Sequence, residues 1–273
     1  MHLVTSRFDC QDAADRTAGL DAAREALAAR QCVVLPTDTV YGIAADAFSP
    51  QAVATLLAAK GRGRTMPPPV LIPRPETLDG LATEVPDAAR KLAAEFWPGA
   101  LTMILNAQPS LTWDLGETKG TVALRMPDDD VALELLRAVG PLAVSSANRS
   151  GNAAATNIDA AEDQLGEAVA VYLGDGERRQ GEQDALPSTI VDFTGDVPAV
   201  VRQGAIALDD LRRVVPEILG LGEQPAGTEE RGSALDAAGS AVTDHPEASA
   251  SDSGSAGTGA GPGVTDPSET TER

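Results

Sequence analysis

Three short stretches of this chain concentrate side chains capable of chemistry. In the first, Pro36 ends a short apolar run, and Thr37, Asp38 and Thr39 follow before a second apolar piece opens at Val40. Two hydroxyls and a carboxylate between buried strands are costly unless something uses them, although Asp and Thr also serve ordinary turns. The second is Lys60-Gly61-Arg62-Gly63-Arg64, followed by the stiff Thr65-Met66-Pro67-Pro68-Pro69. Glycines between cations let the backbone approach a ligand, so a flexible cationic strip tied to a rigid one suits a polyanion; cations after a helix also complement its dipole. The third is Ser145-Ser146-Ala147-Asn148-Arg149-Ser150-Gly151. Small donors and acceptors at a strand end suit a nucleotide or an amino acid, or simply a turn. Arg125 and Arg202 each close an apolar run. A buried guanidinium needs an anion, either a structural carboxylate or the carboxylate or phosphate of a substrate.

Several chemistries are excluded. The two histidines, His2 and His245, lie toward opposite ends, so the body has no imidazole base or zinc–histidine site. Cys10 and Cys32 have no C-x-x-C spacing, which argues against a disulfide framework or zinc site; Cys32 reads as a small core residue. No Walker loop is present. Ser145 and Ser146 lack the G-x-S-x-G context of a nucleophile. The net charge is -20, and the nine acidic and two basic residues from Pro225 onward leave -13 on residues 1–224. Nucleic-acid affinity comes mainly from phosphate neutralisation, so strong direct binding of nucleic acid is not expected. Against eighteen arginines there are three lysines, which makes Lys60 a rare choice. No apolar run approaches a membrane span, the first residues lack an apolar signal region, and a reducing cytoplasm is the expected location.

Helices and strands must hold these residues. Leu20, Ala23 and Leu27 share one face of a helix running toward Arg30, and a strand follows at residues 32–35. Ser49-Pro50 is a capped helix start leading to Lys60. Strands are expected at 70–72, 101–105, 121–124, 142–144, 169–173, 189–193 and 200–201. Further helices are expected at 87–96, from a cap at Asp128 to Gly140, and at 208–219. The Trp97-Pro98-Gly99 run reads as a packed corner. The order is α/β, less regular than a doubly wound fold, and implies a mixed sheet. From about Pro225 the chain is Ala, Gly, Ser, Thr and acid, too poor in apolar residues to offset its chain entropy. It divides into a body, residues 1–221, and an expected disordered tail, residues 222–273.

With residues 96–102 (Phe96 to Thr102), 121–127 (Thr121 to Pro127), 187–192 (Pro187 to Asp192) and 201–206 (Val201 to Ile206), the three stretches form seven ordered motifs over roughly residues 15–210. This set resembles the YrdC-like family, the threonylcarbamoyl-AMP synthases of tRNA modification. The resemblance implies a twisted mixed sheet with surrounding helices and a deep concave ligand face. It implies synthesis of threonylcarbamoyl-adenylate from L-threonine, bicarbonate and ATP, with Mg2+ covering the pyrophosphate and a tRNA threonylcarbamoyl transferase complex downstream. By matched position, Lys60, Arg62, Ser146 and Asn148 are catalytic. Lys60, Arg62, Met66, Thr121, Asn148, Thr156 and Arg202 hold ATP, and Thr39, Leu71, Arg125, Ser146 and Ser188 hold threonine. Met66 stands where many members have asparagine, and Leu71 where many have histidine. No dedicated metal ligand set is implied, and no general base is evident; Asp38 is a candidate that equally suits the turn. The competing readings are a non-catalytic RNA-binding or ribosome-associated module on the same fold, and another carbamoyl or adenylyl transferase.

Overall fold

The computed structural model describes residues 5–180, 183–184 and 186–225; the expected tail beyond these lies outside the described residues. In chain order the elements are β1 (Ser6–Asp9), α1 (Ala13–Ala28), β2 (Val33–Leu35), β3 (Gly42–Asp46), α2 (Pro50–Ala59), β4 (Val70–Leu71), α3 (Leu78–Leu81) and α4 (Asp87–Phe96). Then come β5 (Leu101–Asn106), β6 (Thr121–Arg125), α5 (Asp130–Val139), β7 (Leu142–Ser146), α6 (Ile158–Leu165) and β8 (Val171–Gly174). The short pair β9 (Arg179–Gln180) and β10 (Gln183–Asp184), then β11 (Thr189–Asp192), β12 (Ala199–Arg202) and α7 (Leu208–Val214), complete the body.

Ten strands form one mixed sheet, ordered β1-β8-β2-β3-β7-β4-β6-β5-β11-β12. β8 runs parallel to β1 and β2, β4 to β6, and β5 to β11, while the remaining neighbours are antiparallel. Because side chains alternate along a strand, each strand feeds two cores. Val33, Leu35 and Ala44 join Leu20, Ala23 and Leu27 of α1 and Val131, Leu135 and Leu136 of α5. Val34, Ile43 and Ala45 face the other way, toward Val53, Leu56 and Leu57 of α2 and Leu92 of α4. Each large apolar side chain so buried contributes roughly 1.5–3 kcal/mol.

Local chemistry sets the boundaries. Ser49 caps α2, accepting from the Ala52 amide, with Pro50 in the first turn. α5 is capped by Asp129, one residue beyond the expected Asp128. α7 ends at Val214, short of the expected 219: Pro216 lacks an N–H and forces its neighbour away from helical dihedrals. β1 and α6 were not expected. β1 is short and polar, and α6 is an eight-residue helix whose Asn157 cap accepts from Ala160. Trp97 is the packed corner expected, its indole N–H donating to Leu101 O at 2.8 Å.

The helices α1 and α5 cover the β1–β7 half of their face. Over β7, β4, β6, β5 and β11 the same face is left open, and there the alternating side chains form the floor of a cavity.

Candidate functional site

The cavity holds about 520 Å³. Its floor is read off the strands two residues at a time: Val144 and Ser146, then Thr121, Ala123 and Arg125, then Thr102 and Ile104, then Ser188 and Ile190. Leu71 of β4 lies between the first two rows. Thr37, Thr39 and Tyr41 form one wall, and Arg62 with Met66 and the prolines 67–69 forms another. Ten of the twelve residues expected at the site line it: Thr39, Arg62, Met66, Leu71, Thr121, Arg125, Ser146, Asn148, Ser188 and Arg202. Met66 stands half in solvent, while Thr121 Oγ1 donates to Thr118 O at 2.8 Å.

Lys60 and Thr156 stand outside the lining. The Lys60 side chain is buried beneath the turn after β7, where its ammonium donates to the carbonyls of Ser146 and Asn148. Burial, with the charge of Arg62 beside it, pulls its pKa down to about 8. Thr156 is half-buried, and its carbonyl accepts from the Arg178 amide at 2.6 Å. The cationic strip is therefore not one clamp. Lys60 faces inward and Arg64 pairs with Asp114 at 2.7 Å on the outside. Arg62 is the member that reaches the cavity, donating to Ser145 Oγ at 3.2 Å. Gly61, at φ +63°, supplies the turn that separates their directions.

Arg125 has its structural anion. Nη2 donates to Asp38 Oδ1 at 2.5 Å, Nη1 to Thr39 Oγ1 at 2.9 Å, and Nε to Gly99 O at 3.0 Å. Asp38 also accepts from the Asp128 amide at 3.0 Å. Both bonds fall on Oδ1, so Asp38 holds the turn and the Arg125 side chain, one of the two roles open to it in sequence. Arg202 grips Ser188 instead, with Nη2 donating to the hydroxyl at 2.8 Å and to the carbonyl at 2.6 Å. A Cβ on Gly204 would stand 2.2 Å from Pro187 O; only glycine lets these two chain segments meet. Burial pulls the Arg202 guanidinium below its usual range, and the nearby Arg125 charge adds to this; burial lowers Arg62 likewise. Guanidinium groups stay protonated in proteins, so these shifts measure cation poorly compensated by its surroundings.

Asn148 carries a different signal. Its amide nitrogen donates to Arg149 O and Asn152 O at 2.9 Å each. Its Oδ1 is buried with no hydrogen-bond partner among the described residues. A buried acceptor left open costs about 1–3 kcal/mol, a cost that a ligand donor or cation removes.

Thr37, Thr102 and Ser145 also line the cavity; Thr37 and Ser145 stood in the candidate stretches and Thr102 at the end of a motif, but none was assigned a role from sequence. Thr102 had a legible signal: it is a buried hydroxyl inside an apolar strand, in phase with Ile104.

A concave, arginine-rich face on a twisted mixed sheet, with hydroxyls arrayed across its floor, defines a site for a small anionic or zwitterionic ligand. The Sua5–YciO–YrdC family model, which carries the description "Telomere recombination", matches residues 25–204. The chain belongs to this family. A Mycobacterium tuberculosis protein provisionally named threonylcarbamoyl-AMP synthase is 52% identical over 212 residues, covering 78% of this chain and 96% of that protein. The Pyrococcus abyssi threonylcarbamoyl-AMP synthase is 37% identical over 68% of this chain and 54% of its own length. Among solved structures, P. abyssi Sua5 complexed with L-threonine superposes with a TM-score of 0.71 at 30% identity, over 80% of this chain and 62% of that one. Among the described residues no helix is long and apolar enough to cross a membrane.

Proposed function

We propose that this chain synthesises L-threonylcarbamoyladenylate from L-threonine, bicarbonate and ATP, releasing pyrophosphate, to feed threonylcarbamoyl transfer onto tRNA by a separate transferase complex. The observation that carries the reading is charge. In a chain of net charge -20, Arg62, Arg125 and Arg202 converge on one cavity. Among the described residues only Arg125 of the three has a carboxylate partner. Two cations without carboxylates, beside a row of hydroxyls, suit phosphates and an amino-acid carboxylate.

In this reading the amine of threonine attacks carbon dioxide derived from bicarbonate, forming the N–C bond of a carbamate and losing a proton. A carbamate oxygen then attacks the α-phosphorus, and the bond to the pyrophosphate oxygen breaks. Charge grows on the phosphorus oxygens as this happens. Arg62, held by Ser145 at the cavity wall, is fixed in advance to meet it, which is more effective than a cation that must reorganise. Lys60 acts at one remove, holding the Ser146–Asn148 turn beneath the reactants. Ser188 receives the amino-acid carboxylate together with Arg202, which the resemblance places at ATP but whose bond to the Ser188 hydroxyl brings it to the amino-acid end, and Leu71 offers an apolar wall to the methyl group. The walls hold the labile carbamate away from bulk water. No group of three metal-ligating side chains occurs among the described residues. Mg2+ would enter as a companion of the triphosphate, with the unpartnered Asn148 Oδ1 the protein atom that suits it, and would offset charge on the departing pyrophosphate. The test is pyrophosphate release by the purified chain with ATP, Mg2+, bicarbonate and each amino acid in turn. Release dependent on threonine and on bicarbonate is expected; release indifferent to the amino acid would overturn the reading.

A further inference from the structure

Thr37 is buried in the cavity wall, and nothing above gives it a role. Its hydrogen bonds can be counted. A threonine hydroxyl has one proton and two lone pairs. Thr37 Oγ1 lies 2.7 Å from Val40 O, a carbonyl that only accepts, so the Thr37 proton is committed there. One Thr37 lone pair receives the Thr39 amide at 3.2 Å. The second faces Thr39 Oγ1 at 3.0 Å. With the Thr37 proton already placed, the Thr39 hydroxyl must be the donor of that pair. Thr39 Oγ1 in turn accepts from Arg125 Nη1 at 2.9 Å, and a guanidinium has no acceptor to offer. The Thr39 proton and one of its lone pairs are therefore used, leaving one lone pair.

We propose that Thr37 is a positioning residue that locks the Thr39 hydroxyl as a pure hydrogen-bond acceptor, and that this acceptor selects a neutral donor on the substrate, the side-chain hydroxyl of the amino acid. The inference rests on the function proposed above. The Arg125–Asp38 pair beside it is neutral as a unit, so this position offers a donor one lone pair and no net negative charge to draw an ammonium, which suits a hydroxyl. The Ser188 corner has the opposite polarity. Ser188 Oγ accepts from Arg202 Nη2 and shares a proton with Thr102 Oγ1 at 2.8 Å. Two hydroxyls carry two protons and their mutual bond uses one, so that corner has one O–H left to donate beside the Arg202 charge. An acceptor at one end and donors at the other match a hydroxyl-bearing amino acid, with its hydroxyl at Thr39 and its carboxylate at Ser188.

The test is calorimetric binding of L-threonine and L-valine to the full chain, as wild type, Thr37→Val and Thr37→Ser. Thr37→Val keeps the shape and frees the Thr39 proton to point into the cavity. Threonine binding should weaken roughly tenfold, the worth of one hydrogen bond, while valine binding stays unchanged and Thr37→Ser restores the wild-type ratio. Equal losses for both amino acids, or no rescue by serine, would overturn the lock while leaving the proposed substrate intact. A wild type that does not bind threonine would remove the proposed function and this inference together. Should Thr37→Val fail to fold, wild type alone decides. The near-isosteric 2-amino-3-fluorobutanoate, which lacks an O–H donor, should bind no better than valine, and binding like threonine would overturn the lock.

Discussion

The Lys60 ammonium, buried under the turn that follows β7, donates to the carbonyl oxygens of Ser146 and Asn148. A backbone bond from the Ser150 amide to Lys60 O at 2.9 Å closes the arrangement. The side chain most suggestive of phosphate binding in sequence is thus a staple for the loop that carries Ser146 and Asn148. Lys60→Met should leave the Asn148 carbonyl short of its donor and destabilise the fold by about 2 kcal/mol, with pyrophosphate release falling in parallel. Urea melts and turnover measured on the same preparation check this. Lost turnover with unchanged melting would return Lys60 to direct contact with the reactants.

Arg62→Ala should behave in the opposite way. Among the described residues its guanidinium bonds only hydroxyls, Ser145 Oγ at 3.2 Å and Ser150 Oγ at 3.4 Å, so stability should change by less than about 0.5 kcal/mol. Losing a charge aimed at the transition state should lower turnover roughly a hundredfold, or about 3 kcal/mol. Wild-type turnover in this variant would remove Arg62 from the phosphate path.

The contrast between these two residues marks what sequence made legible. The elements with strong periodicity or punctuation were readable: α2 from Ser49-Pro50, α4 from its apolar spacing, and the strands carrying Arg125 and Ser146. The site residues were readable as a set because seven motifs stood in order. Direction was not readable. Gly-spaced cations two apart look equivalent in a string, yet the positive φ of Gly61 turns Lys60 inward, Arg62 to the cavity and Arg64 to Asp114. Arg125 likewise needed an anion, but only the fold shows that Asp38 supplies it. β1 stayed hidden because its pairing partner, β8, lies far along the chain, and short-range pattern carries no record of such a contact.

The buried thiols predict an alkaline limit. Burial pushes Cys10 and Cys32 up to about 12 each, with the nearby Asp175 adding to the shift of Cys10. Between about pH 9 and 12 the folded chain keeps two protons that the unfolded chain releases, so stability is full below that window and lost on rising through it. Lys60 acts oppositely: its pKa, lowered to about 8, makes the folded chain the less protonated state up to about 10.4, so its contribution rises with pH. A shallow gain from pH 8 to 9 should therefore turn into a loss of about 1.4 kcal/mol per pH unit just above pH 9, steepening toward about pH 10 as Tyr41 and Tyr172, which burial also raises, add the same sign. Cys32→Ala should nearly flatten the first part of that limb, between about pH 9 and 9.5. Urea melts from pH 7 to 10.5 measure it, and a wild-type limb that does not fall would contradict the thiol assignment.

Shortening the chain to end after residue 225 should leave melting and turnover nearly unchanged. The motivation is compositional: beyond that point Leu235, Val242 and Val264 are the only bulky apolar side chains, too few to bury a core. Arg62 and Arg202, the cavity-lining cations without a carboxylate partner among the described residues, lie within the retained residues. A melting temperature lowered by more than about 4 °C, the equivalent of roughly 1 kcal/mol or more, would show that the removed segment contributes to the body.

The amino-acid preference tests the cavity as a whole. Thr39, Ser146 and Ser188 come from distant parts of the chain and line one cavity, with Leu71 buried in its floor. Threonine has both features such a surface reads, a hydroxyl and a methyl group. Serine keeps the hydroxyl and loses the methyl, so it gives up only apolar contact, worth about 10- to 200-fold in a hydrophobic pocket. Valine keeps the shape and loses the hydroxyl, which strands a buried acceptor. Sites built to bond a substrate hydroxyl reject such analogues by roughly 10⁴-fold. The expected order of kcat/KM is therefore threonine, then serine, then valine, with the larger gap before valine. Leu71 makes a further distinction possible. Leu71→Ala removes the apolar wall and should narrow the gap between threonine and serine while leaving the gap to valine in place. Pyrophosphate release with the three amino acids at matched concentrations measures both gaps. Valine used as well as threonine would mean that the hydroxyls on the cavity floor serve structure and that the amino acid is read by shape alone.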